Sequence, residues 1–237
     1  MISTIISALS GDKGALVSIL LSFPVILFSL SFHEAAHGYV AYKMGDSTAK
    51  AFGRLTLNPL KHLDPIGTLV MFVFGFGWAK PVPINVRNFD DPRKGMAITG
   101  IAGPISNLLL GVISSVLYAV FYIVWVSLTL NMASVAIIEF VYYTALFFYV
   151  GAILNFGLML FNMLPAPPFD GSRFFFYFLP KQWYFKVMKY ERTIMIAILA
   201  IVFILARMGL SPISFISERL FSLITEPIID LGFKIIM

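Results

Sequence analysis

Polar residues are so sparse along this chain that they act as punctuation between apolar runs. "ALVSILLSFPVILFSLSF" (15–32) holds 18 residues without a charge, close to the roughly 20 that carry a helix across a bilayer core. The helical pattern continues through about residue 43, with Pro24 placed to kink it. Residues 95–127 and 134–163 are also long enough to span, and the short connection between them, 128–133, is uncharged. "DPIGTLVMFVFGFGWAKPVPINV" (64–86) differs. It has only about a dozen strongly apolar residues in a row, broken by Gly75 and Gly77, which suits a re-entrant, partly extended, β-hairpin-like segment. An apolar run follows at 192–206 and a more polar one at 212–236. The pattern predicts an all-α polytopic membrane protein of about five to six hydrophobic helical segments. Its core covers 1–190, and C-terminal helical segments cover 191–237.

Composition agrees. Charged residues make up 12% of the chain and hydrophobic ones 59%, whereas a soluble domain carries about a quarter charged. Cysteine is absent, which excludes disulfides and thiolate metal sites. The net charge of +5 does not point to nucleic acid, because the basic residues collect in short loops. Four lie in 43–62 (Lys43, Lys50, Arg54, Lys61), four in 80–94 (Lys80, Arg87, Arg93, Lys94) and five in 171–192, with none in 128–133. These three stretches share one side only if 64–78 dips into the bilayer and returns. The expected topology puts them in the cytoplasm, with the N-terminus outside the plasma membrane. The N-terminus lacks a basic region and a small-residue cleavage site, so it reads as a retained first helix. In the last segment Arg219, Glu226, Asp230 and Lys234 fall near one helical face. That fits an amphipathic helix at the interface or a sixth span.

At the end of the first greasy run stands "FHEAAHGY". His33 and His37 are spaced i, i+4, which brings both imidazoles to one helix face. Two such ligands can share a zinc ion at about 2.0–2.1 Å, and Glu34 beside them can take a proton from water held there. A catalytic site needs a third ligand, for which His62 and the carboxylates are candidates. "FNMLPAPPFDGSRFF" (161–175) is the most distinctive source. Pro165, Pro167 and Pro168 stop the helix, so unwound backbone can project Asp170 sideways. An Asp-Gly turn at a membrane exit is the plainer reading of the same residues.

His33-Glu34-xx-His37, followed by Asn162-xx-Pro165-xxxx-Asp170-Gly171, resembles the site-2 protease family of intramembrane zinc metalloproteases. "AGPISN" (102–107) is similar to that family's Gly-Pro-x-x-Asn element, and "FGRLTLNPLKHLDPIGT" and "FGWAKPVPINVRNF" resemble its compact branch without a PDZ domain. The resemblance covers most of 28–175 and weakens after about 190. It implies zinc held by His33, His37 and Asp170, with Glu34 as general base. It further implies that Asn107 and Asn162 bind the substrate backbone or the developing oxyanion. The substrates would be transmembrane proteins within the lipid bilayer, and a homo-oligomer is compatible with it.

A substrate helix hides its carbonyls in hydrogen bonds, so cleavage requires local unwinding and new backbone partners. "GFGWAKPVPINV" (75–86), with Gly75, Gly77 and Trp78, is the expected source, as an edge that binds extended substrate. A rigid Pro-rich loop is the alternative. His62 reads as a structural or gating residue, and Glu139 as a snorkelling or paired acid near the outer end of its span. Two rival functions remain at this level: a metal or proton transporter, and an inactive scaffold that binds membrane clients. Neither gives Glu34 a necessary task.

Overall fold

In the computed structural model, the described residues are 10–11, 13–67, 70, 79–208 and 210–236. Apolar side chains at helical spacing produce eight α-helices among them: α1 (Lys13–Lys43), α2 (Thr48–Ala51), α3 (Pro92–Leu130), α4 (Val135–Asn162), α5 (Asp170–Tyr177), α6 (Lys181–Met188), α7 (Glu191–Arg207) and α8 (Pro212–Ile236). No strand occurs among the described residues; a single antiparallel bridge joins Leu63 and Ala79. Among the described residues, three helices are long and apolar enough to cross a membrane by length and composition: Leu16–Lys43 of α1, α3 and α4. The apolar runs 15–43, 95–127 and 134–163 fall on these helices to within a residue. Residues 68–69 and 71–78 of the expected re-entrant segment, 64–86, including Gly75, Gly77 and Trp78, lie outside the described residues.

α3 and α4 form the centre of the bundle. Asp91 caps α3 by accepting from the N–H groups of Arg93 and Lys94, with Pro92 at the first helical position. α1 packs against both helices, α5 packs on α3, and α8 leans on α3 and α4. α8 buries Ser217 and Thr225 and leaves Arg219, Glu226, Asp230 and Lys234 exposed. Below the bundle, Asp46 ties two loops together. It accepts from the N–H and hydroxyl of Thr48, from Asn85 N–H at 2.7 Å and from Asn88 Nδ2 at 2.7 Å.

Candidate metal centre

α1 supplies the first two groups. His33 and His37 are buried one turn apart, with ring centroids 4.6 Å from each other. Burying two imidazoles requires a facing surface that is close and polar in the right places. α3 provides it through "TGIAGPISN" (99–107), where small residues let the helices approach. Gly103 faces the two rings directly. A Cβ there would meet His37 Nε2 and would lie 2.6 Å from His33 Nε2. The missing side chain is what leaves a space between the ring nitrogens.

Asp170 arrives from the opposite side. α4 ends at Asn162, and the proline-rich link 163–169 turns the chain back. The return is tight: a Cβ on Gly171 would stand 2.6 Å from the Met163 carbonyl carbon, so only glycine fits after Asp170. Asp170 opens α5, where the helix dipole favours an anion. At the other end of α5, Arg93 Nη2 donates to the carbonyls of Phe176 (3.3 Å), Tyr177 (2.9 Å) and Leu179 (2.8 Å), fixing that helix to the start of α3.

Three atoms converge. His33 Nε2 is 3.0 Å from Asp170 Oδ2, His37 Nε2 is 3.2 Å from the same oxygen, and the two Nε2 atoms are 3.0 Å apart. The outer ring nitrogens face oxygens. His37 Nδ1 donates to the Thr99 carbonyl at 2.7 Å, so its Nε2 holds a lone pair. His33 Nδ1 is 2.7 Å from Asn107 Oδ1 and is the donor there as well. Two lone pairs and a carboxylate oxygen therefore point at one place and repel one another unless a cation lies between them.

The spacing fits such a cation. Ligand atoms around a tetrahedral ion with bonds of about 2.0–2.1 Å stand about 3.3 Å apart, within a few tenths of the distances here. Imidazole nitrogen and carboxylate oxygen, with no thiolate, are donors that suit zinc. His33, His37 and Asp170 could hold it, leaving a position open. Their ligand atoms all lie within 4.8 Å of one another.

Glu34 stands beside this centre, half-buried, with Oε2 accepting from Val82 N–H at 2.9 Å. Val82 belongs to an extended stretch held at Asn85 on one flank, whose N–H donates to Asp46, and at Lys80 on the other. Lys80 N–H donates to the His62 carbonyl (2.8 Å), and the Lys80 carbonyl accepts from Arg54 Nη2 (2.6 Å). Pro81 and Pro83 have no N–H, so Val82 carries the only backbone donor of the three.

The other anticipated residues are not among the three converging groups. Asn107 is fully buried against His33. Asn162 donates from Nδ2 to Leu158 of its own helix at 3.0 Å. His62 is buried in the 56–63 loop, its Nε2 donating to the Thr56 carbonyl at 2.8 Å, apart from the three converging atoms. Glu139 is exposed near the start of α4. Sequence reasoning passed over Thr99, Gly103, Asn155 and Ser29. Gly103 lies inside the quoted "AGPISN", and Asn155 is an amide in the C-terminal third of an apolar span. Thr99 contributes a main-chain carbonyl, which any residue could supply.

Fold and site together define a helical membrane protein with a two-histidine, one-carboxylate centre buried among its spans. The sequence model of Peptidase family M50 matches residues 22–206, and the chain belongs to that family, the site-2 proteases. It is 47% identical over 150 residues to "Putative zinc metalloprotease YwhC" of Bacillus subtilis (strain 168), covering 62% of this chain and 64% of that protein. It is 28% identical over 155 residues to "Putative zinc metalloprotease Rip2" of Mycolicibacterium smegmatis (strain ATCC 700084 / mc(2)155), covering 61% and 52%. The chain thus spans less than two thirds of the length of these curated relatives. No solved structure matches it.

Proposed function

We propose that this chain is an intramembrane zinc metalloprotease that hydrolyses peptide bonds in the transmembrane segments of other membrane proteins. The observation that carries the reading is the convergence of His33 Nε2, His37 Nε2 and Asp170 Oδ2 beside the Glu34 carboxylate, which shares α1 with the two histidines. His33, His37 and Asp170 would hold zinc. Bound there, zinc supplies Lewis acidity that polarises a carbonyl and makes water a better nucleophile near neutral pH.

The remaining work belongs to the protein. Glu34 takes the proton from water and delivers it to the leaving amine. The Val82 N–H on Oε2 holds this carboxylate in place and leaves Oε1 for proton transfer. His37 is six residues from the basic end of α1 at Lys43, about 9 Å at 1.5 Å per residue, so the reaction takes place inside the bilayer and near one face. With the basic loops in the cytoplasm, that face is the cytoplasmic side of the plasma membrane, and the N-terminus lies outside. The stretch from Gly75 and Gly77 through Trp78 to Val86 receives unwound substrate, and Asn162 contributes its amide group to the substrate backbone; Asn107, expected to do the same, is instead buried between His33 and Asn155.

The test is cleavage of a single-pass membrane substrate by purified enzyme and by Glu34→Gln. The substitution should lower the rate at least about 100-fold while bound zinc stays at the wild-type level. Undiminished cleavage would remove Glu34 from the mechanism, and cleavage by neither protein would favour a client-binding scaffold.

A further inference from the structure

A zinc ligand at His33 needs Nε2 free of a proton, and Asn107 alone does not guarantee that. A carboxamide has an oxygen at one end and an NH2 at the other. Turned over, Asn107 would present N–H to His33 Nδ1, move the ring proton to Nε2 and close that atom to metal. The next side chain in the network decides which way it points. Asn107 Nδ2 lies 3.2 Å from Asn155 Oδ1. Asn155 is not free to turn either, because its Nδ2 donates to the Gly151 carbonyl at 2.8 Å and to Ser29 Oγ at 2.9 Å. Both amide hydrogens are thus committed, one of them to a main-chain oxygen that can only accept.

The orientations follow in sequence. Asn155 shows its oxygen to Asn107, which gives its NH2 to Asn155 and its oxygen to His33. Ser29, Asn107 and Asn155 are 1%, 0% and 3% exposed, so water does not compete for these bonds. Ser29 is one turn before His33 on α1, and the network therefore joins α1, α3 and α4.

We propose that Asn155 is a positioning residue for the metal centre: acting through Asn107, it locks His33 in the tautomer that ligates through Nε2. The proposal rests on the metal-centre reading above. An amide that only glues helices together, worth about 0.6–2 kcal/mol, would change stability without selecting a tautomer.

Two measurements on the purified protein distinguish these roles: zinc affinity by chelator competition, and the ring nitrogen NMR signals of ¹⁵N-histidine-labelled protein. The chain has only three histidines to assign. Asn155→Leu should weaken zinc binding about 10–100-fold and shift metal-free His33 toward the Nε2–H form. In an Asn107→Ala background the same change should alter affinity less than about twofold, since its route is already cut. Asn155→Asp still offers an oxygen to Asn107 and should keep affinity within about fivefold of wild type. Should Asn155→Leu not accumulate as folded protein, Ser29→Ala is read by the same His33 signals. It should weaken zinc by a smaller factor of about 2–5. Wild-type affinity with unchanged His33 signals in Asn155→Leu, or in its substitute Ser29→Ala, would overturn the proposal. So would full additivity with Asn107→Ala. A wild-type protein that binds no zinc would overturn the metal-centre reading and this inference with it.

Discussion

The two ends of the bundle are built by opposite means. At the basic end, α1 and α3 meet through Thr99, Gly103 and Asn107 against His33 and His37, Gly100 makes room for α5 at Asp170 and Arg173, and the contacts are directional and short. Toward the other end, α3, α4 and α8 meet through rings. Phe121 stacks with Phe148 at 5.6 Å, and Phe221 reaches Tyr118 and Tyr149 at 5.0 and 5.2 Å. Rings fill volume and tolerate adjustment, since several offset and tilted geometries have similar energy. Small residues and hydrogen bonds tolerate little, because their value lies in placing particular atoms. The aromatic end holds the helices together, and the small-residue end decides where three ligand atoms sit.

One methyl group should break the basic end. Gly103→Ala puts a carbon into the space between the two Nε2 atoms and should lower zinc affinity at least about 100-fold by chelator competition. Gly157→Ala is the control. Its Cβ would find nothing nearer than 3.9 Å, so zinc binding should be unchanged.

Asp46 extends the same contrast to the loops. Asp46→Ala strips an acceptor from four donors, on Thr48, Asn85 and Asn88, and should destabilise the fold by about 2–4 kcal/mol in thermal unfolding. Its pH dependence has a definite sign. Burial pushes the Asp46 pKa up, but the hydrogen bonds from Thr48, Asn85 and Asn88 outweigh it and leave the pKa lowered. Its contribution is therefore complete above the ordinary Asp pKa of about 3.9 and is lost as pH falls through the lowered value. Stability from this group should be flat between about pH 5 and 8 and decline only in acid, and Asp46→Asn should lose that acid-side slope. The smallest effect is expected at the aromatic end. Phe221→Leu removes two ring contacts and should cost about 1–2 kcal/mol while zinc affinity stays at the wild-type level.

The contrast also explains what the sequence could tell. Spans were legible because hydropathy integrates over many residues: 95–127 and 134–163 became Pro92–Leu130 and Val135–Asn162. His33 and His37 were legible because helical spacing alone puts them on one face. Asp170 was expected on unwound backbone and instead opens α5, since Gly171 lets the chain turn straight into a helix against Met163. The Thr99 carbonyl leaves no trace in side-chain identity. Asn155 left only a faint one, because a single amide in an apolar span does not say which neighbour it faces.

The most direct test of the central claim is zinc per purified chain, measured by elemental analysis for the wild type and for His37→Ala, without chelator during purification. About one zinc in the wild type and almost none in His37→Ala is the predicted result. Equal zinc in both, or negligible zinc in the wild type, would contradict a metal centre at His33, His37 and Asp170.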